Sequence, residues 1–70
     1  MVNTNMLRGK IVEKGKTNGE IAEIIGINQS TFSSKINSGK FTLEEADKIS
    51  CALELSLTEA TAIFFSQFVA

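Results

Sequence analysis

Residues 17–37 decide the fold of this chain, and they read TNGEIAEIIGINQSTFSSKIN. Apolar residues recur here at spacings of three and four, the period of one face of an α-helix. Thr17 followed by Glu20 is a capping-box pattern, which predicts that a helix begins there. Gly26 can adopt the left-handed conformation that ends a helix, and Asn28 can cap the next one. We therefore predict two helices joined by three residues.

Such a short connection makes the two helices cross steeply, as in a helix-turn-helix. The small side chain of Ala22 permits a close crossing, and Gly26 permits the sharp turn between the helices. Four apolar side chains should fill the wedge between them: Ile21, Ile25, Ile27 and Phe32. An αα-hairpin without a binding function has the same spacing, so the pattern alone leaves that alternative open.

The same signals predict three further helices outside this stretch. A first helix should cover roughly residues 4–14, with Leu7 and Ile11 on its inner face and Gly15 after it. Two more capping-box patterns begin a fourth and a fifth helix: Thr42 with Glu45, and Ser56 with Glu59. The chain is therefore predicted to be all-α, with five helices in one compact domain over residues 1–70.

Helical periodicity also predicts the inner faces of the last two helices. The fourth helix should bury Leu43, Ala46, Ile49 and Leu53. The fifth helix, over roughly residues 57–68, should bury Leu57, Ala60, Thr61, Phe64 and Phe68. Its flanks would then present Ile63, Phe65 and Val69, and a large apolar surface on a small protein usually marks a partner surface. We therefore predict that the fifth helix forms a homodimer interface.

Composition limits the chemistry that the chain can carry. There is no histidine and one cysteine, Cys51, so neither a zinc site nor an internal disulfide is expected. We expect the lone thiol to be buried as a small apolar side chain. No apolar run approaches the ~20 residues of a membrane span, and there is no signal-peptide pattern. These features predict a cytoplasmic protein without a cofactor, metal or small-molecule ligand.

Charge is unevenly distributed along the chain. The net charge is −1, but residues 1–40 hold six basic and three acidic residues, whereas residues 41–70 hold one basic and five acidic residues. The net charge is therefore +3 for residues 1–40 and −4 for residues 41–70. Such asymmetry favours an electropositive end that faces a polyanion. Ordinary surface charge that happens to segregate is the alternative.

Two segments resemble a known family. KGKTNGEIAEIIGINQSTFSSKINSGK (residues 14–40) is similar to the helix-turn-helix of the repressor/Cro type, also called the xenobiotic-response-element family. TLEEADKISCAL (residues 42–53) resembles the fourth helix of that family, and Ile63-Phe64-Phe65 resembles small phage-encoded members. The resemblance implies a lambda-repressor-like, usually dimeric domain whose third helix enters the major groove of a double-stranded DNA operator. A transcriptional regulator is the function that it implies.

The resemblance assigns base contacts to the start of the third helix. Gln29 and Ser30 lie where the family reads base edges, and Ser33 and Ser34 occupy the next outward positions. Side-chain chemistry agrees with this assignment, because glutamine can pair with adenine N6 and N7 and serine can bond to any base. Thr31 offers a methyl group to thymine.

Phosphate contacts are implied at both ends of the helix-turn-helix. Asn18 and Asn37 match residues that usually hold phosphates, and the ammonium groups of Lys35 and Lys40 suit phosphate oxygens. Lys35 departs from the family pattern, because its position is often apolar. The recognition helix also lacks an arginine, and Gly19 weakens the second helix relative to alanine.

Two other function classes compete with DNA binding. A protein-interaction module on the same fold, such as an antirepressor or antitoxin component, fits the acidic second half, because fold does not fix function. An enzyme is not expected, since there is no histidine, no glycine-rich phosphate loop and no base partner for the serines of the third helix.

Overall fold

The computed structural model describes residues 2–65, and within that range the chain forms five α-helices and no strand. The helices are α1 (Thr4–Glu13), α2 (Asn18–Ile25), α3 (Gln29–Ser38), α4 (Leu43–Ala52) and α5 (Leu57–Phe64). The Cα radius of gyration is 10.9 Å, close to the ~11 Å of a compact chain of this length. The predicted all-helical class and the number of helices are confirmed over these residues.

A side chain caps the start of every helix. Each capping oxygen accepts a hydrogen bond from the backbone amide three residues further on, and the caps are Asn3, Thr17, Asn28, Thr42 and Ser56. All three predicted capping boxes form, because the carboxylates of Glu20, Glu45 and Glu59 reach back to the amides of their caps. These short-range bonds explain why the predicted helix starts are correct.

The turn between α2 and α3 has the predicted geometry. Gly26 lies in the left-handed region, with φ of +84°, and its position after α2 makes it the C-cap of that helix. The amide of Ile27 then donates to the carbonyl of Ala22, which closes the end of the helix. Only Gly26, Ile27 and Asn28 separate the two helices.

The core forms around α2, which packs on α3 and α4, while α5 packs on α1 and α4. The wedge between α2 and α3 is confirmed at three of its four predicted residues, since Ile21, Ile25 and Phe32 are buried, while Ile27 is half-buried against the same core. Ala22, the small residue predicted at the crossing, is also buried. Phe41, in the α3–α4 connection, extends the core. The centroid of its ring lies 5.9 Å from the ring centroid of Phe32 and 6.1 Å from that of Phe64.

Three predicted inner positions are wrong. Leu43 and Leu57 are 71% and 84% exposed, because each lies in the first turn of its helix, outside the packed layer. Cys51 is exposed rather than buried. The core face of α4 is instead made by Ala46, Ile49 and Leu53, as predicted for those residues.

The fifth helix differs most from its prediction. It ends at Phe64, and Ile63, predicted at a dimer interface, is fully buried in the core. The reason lies in the N-terminal segment, because the amide of Asn3 donates to the carbonyl of Ile63 at 2.7 Å and Val2 joins the same core. Phe65 is half-buried against the core, and the predictions for Phe68 and Val69 lie outside the described residues.

Candidate functional site

The outer face of α3 carries the residues that the sequence predicts to contact bases. Phe32 and Ile36 are buried and fasten the helix to the core. The other positions of α3 are polar, and most of their side chains are short; Gln29 and Lys35 have long ones. Gln29, Ser30 and Ser34 are exposed, and Thr31 and Ser33 are half-buried. The structure therefore brings all five predicted residues onto one accessible helix.

A small hydrogen-bond network sets the first turn of α3. The Oδ1 of Asn28 accepts from the amide of Thr31 at 2.8 Å and from the hydroxyl of Ser30 at 2.9 Å. Because the hydroxyl proton of Ser30 is used in this bond, its oxygen offers lone pairs to a partner. In this state Ser30 suits an amino donor, such as adenine N6 or cytosine N4.

The end of α3 is joined to α1 by a contact that sequence reasoning missed. A terminal nitrogen of Arg8 donates to the Oδ1 of Asn37 at 2.6 Å. Both side chains are exposed, and Arg8 is the only arginine in the chain. Its charge was the available signal, but 29 residues separate the two partners. Asn37, a predicted phosphate contact, thus has a guanidinium beside it.

Lys35 has a carboxylate partner within the chain. Its ammonium lies 3.2 Å from the Oε2 of Glu45, whose Oε1 accepts from the amide of Thr42 in the α4 capping box. Burial alone would raise the pKa of Glu45, but the Thr42 amide and the Lys35 ammonium outweigh it, so this pKa is lowered. The prediction that Lys35 contacts a phosphate stays a prediction.

A second ion pair joins α1 to α5. Lys10 binds the carboxylates of Glu13 and Glu59, and the hydrogen bonds that its ammonium donates to them raise its pKa. The Lys10 ammonium and the Ser56 amide lower the pKa of Glu59 to about 2. Two lysines of the positively charged segment 1–40, Lys10 and Lys35, are thus paired with carboxylates of the negatively charged segment 41–70.

The other basic residues of the segment 1–40 have no carboxylate partner in the described structure. Within residues 2–65, four of them have no carboxylate within 4.0 Å: Arg8, Lys14, Lys16 and Lys40. Lys40 follows α3 by two residues and is exposed, while Asn18 is half-buried at the first position of α2. Arg8, Asn37 and Lys40 therefore place polar and cationic groups at or just beyond the end of α3.

A separate apolar groove lies between α4 and α5. It has a volume of about 460 Å³, and its walls are mainly apolar. Ala46, Leu55 and Phe64 line it, together with the exposed Leu43 and Leu57. Phe65, a predicted dimer residue, also lines this groove, as do Asp47 and Glu54.

Neither a metal-binding cluster nor a membrane-spanning helix is found in the described part of the chain. Residues 2–65 contain no group of three or more His, Cys, Asp or Glu side chains arranged to hold a metal ion. No helix in that range has the length and apolar character needed to cross a bilayer.

Comparison with protein-family models, with curated proteins and with solved structures gives no match to this chain.

Proposed function

We propose that this chain is a sequence-specific double-stranded DNA-binding regulator of the repressor/Cro type. In this proposal α2, the three-residue turn and α3 act as a helix-turn-helix, and α3 enters the major groove. The observation that carries the proposal is the outer face of α3, where five short or amide-bearing polar side chains lie over the buried Phe32 and Ile36.

Base reading falls to the first turns of α3. Gln29 can donate to adenine N7 and accept from N6, and the hydroxyl of Ser30 can accept from an amino group of the next base. The methyl of Thr31 can contact a thymine methyl, and Ser33 and Ser34 keep the helix surface shallow enough for close approach. A solvated helix face would more often carry Glu, Lys or Gln at these two positions.

Phosphate contacts would flank the recognition helix on both sides. Asn18 lies at the start of α2, where free backbone amides and the helix dipole attract anions. Asn37, Arg8 and Lys40 provide an amide and two cations near the other end of α3. Lys35 is the weakest member of the predicted set, because Glu45 already neutralises its ammonium.

A homodimer is part of the proposal, with its interface moved from the predicted one. Ile63 is in the core, so the apolar surface available to a second copy is the α4–α5 groove with Leu43, Leu57 and Phe65. A two-fold dimer would use this patch on both copies and place two recognition helices ~34 Å apart, the spacing of successive major grooves.

The same groove favours a second candidate function, a protein-interaction module without specific DNA binding. Its apolar walls, with Asp47 and Glu54 beside them, suit a helical segment of another protein that presents apolar anchors and basic residues. This candidate predicts protein binding that depends on Leu43 and Leu57. It also predicts no preference among DNA sequences.

The deciding experiment selects bound duplexes from a random DNA pool and measures their affinity by fluorescence anisotropy at several salt concentrations. We expect a selected site to bind at least ~10³-fold more tightly than random DNA, with an affinity that falls as salt rises. Gln29→Ala should weaken the selected site by about 1–3 kcal/mol and random DNA far less. Thr58→Ala, an exposed polar change on α5, is the matched control. Equal binding of selected and random duplexes would contradict the proposal.

A further inference from the structure

The side chain of Gln29 lies over the first turn of α2. A Cβ atom built on Gly19 would lie 3.1 Å from the Oε1 of Gln29 and 3.4 Å from its carboxamide carbon. The first of these distances lies in a range that is tighter than nine in ten real Cβ contacts. A side chain at position 19 would therefore require the carboxamide to move by a few tenths of an ångström from this place. No hydrogen bond from this carboxamide is seen within residues 2–65, so its donor and acceptor stay available.

The backbone itself does not require a glycine at position 19. Gly19 lies inside α2, and it is not among the glycines with positive φ, in contrast to Gly26. Glycine weakens a helix relative to alanine, because it loses more conformational freedom on folding. Gly9 is the matched comparison, since it also lies inside a helix but a Cβ there would meet nothing within 4 Å. What distinguishes Gly19 is its contact with Gln29.

We propose that Gly19 is a positioning residue that holds Gln29 ready to read a base. The absence of a Cβ lets the carboxamide rest against α2 before DNA arrives, so less side-chain freedom is lost on binding. Glutamine has three side-chain torsions, and fixing such a side chain at an interface costs affinity. The inference rests on the proposed function, because it specifies how the predicted adenine reader is oriented.

The test compares Gly19→Ala with Gly9→Ala in the full chain. Both changes should raise Tm through helix propensity, so loss of folding does not confound the result. Gly19→Ala alone should shift the NMR resonances of the Gln29 side-chain amide and remove its cross-peaks to residue 19. It should also weaken the selected DNA site by about 2- to 10-fold and leave random DNA unchanged. Gly9→Ala should change neither the resonances nor DNA affinity.

A double-mutant cycle shows whether the effect acts through Gln29. In a Gln29→Ala background, Gly19→Ala should no longer alter affinity for the selected site. An equal loss in that background would overturn the proposal and assign Gly19 a backbone contact of its own. Unchanged Gln29 resonances in Gly19→Ala would also overturn it. If the wild-type chain prefers no DNA sequence, the proposed function fails and Gln29 loses its role as a reader, while the NMR comparison separately decides whether Gly19 holds its side chain.

Discussion

The ammonium of Lys35 on α3 lies 3.2 Å from the carboxylate of Glu45 on α4. This ion pair joins the proposed recognition helix to the helix that follows it. It also explains how a half-buried lysine is tolerated on α3, because a half-buried carboxylate holds its ammonium. Lys35 and Lys40 should therefore behave differently, although the sequence assigns both to phosphates.

Lys35→Ala should destabilise the fold by about 1 kcal/mol, because Glu45 loses its counter-charge in a partly buried position. Lys40→Ala should leave stability unchanged. It should also make the slope of log binding constant against log salt concentration shallower by about one unit. Urea denaturation and salt-titrated anisotropy measure the two effects separately. If Lys35→Ala keeps full stability and flattens the salt dependence as much as Lys40→Ala does, the ion pair does not exclude a phosphate contact.

Acid stability should depend on Glu59. Its pKa is about 2 in the folded chain, since Lys10 and the Ser56 amide stabilise the carboxylate, and the ordinary value is 4.5. A lowered folded pKa contributes stability that is present above the unfolded pKa and is lost as pH falls from 4.5 toward 2. Glu59→Gln keeps a capping-box acceptor but removes the charge. It should lower Tm at pH 7 and match the wild-type Tm below about pH 2.

Glu20→Gln is the control for this pH dependence. Glu20 occupies the same capping-box position in α2, but no cation lies within 4.0 Å of it among residues 2–65. Thermal melts across this pH range should therefore show a pH-dependent difference from wild type for Glu59→Gln and a much smaller one for Glu20→Gln. A Glu59→Gln difference that stays constant from pH 7 to pH 2 would contradict the role assigned to Lys10.

Gly26 should be required by its backbone conformation alone. Its φ is +84°, and a Cβ added there would meet nothing within 4 Å. Gly26→Val should therefore cost about 1–3 kcal/mol through strain, without any steric clash. Gly9→Val, inside α1 and also facing open space, is the control and should cost little. Equal melting temperatures for the two variants would show that the turn relaxes to another geometry.

The dimer proposal separates two positions on α5. Leu57 is 84% exposed, so Leu57→Ser should leave each protomer folded and shift sedimentation toward the monomer at tens of micromolar. Ile63→Asp should instead unfold the chain, because it places a carboxylate in a fully buried position. Val12→Ser, which changes a 76% exposed apolar residue on α1, is the control. A wild-type chain that sediments as a monomer would rule out this interface.

Helix boundaries and the wedge between α2 and α3 could be predicted because they depend on short-range relationships. A cap and its capping-box partner are three residues apart, as Thr17 and Glu20 are, so both ends of the interaction stand together in the sequence. The left-handed Gly26 is equally local. The polar face of α3 follows from periodicity once Phe32 and Ile36 are assigned to the core.

The orientation of α5 depended on the tertiary structure. Apolar residues cover most of its circumference, so periodicity cannot show which side is buried. The N-terminal segment decides this, because the amide of Asn3 donates to the carbonyl of Ile63 and Val2 joins the same core. The same holds for the contacts of Arg8 with Asn37 and of Gly19 with Gln29. Each pair joins residues from different helices. Their separation is set by the way the helices pack, which no local pattern encodes.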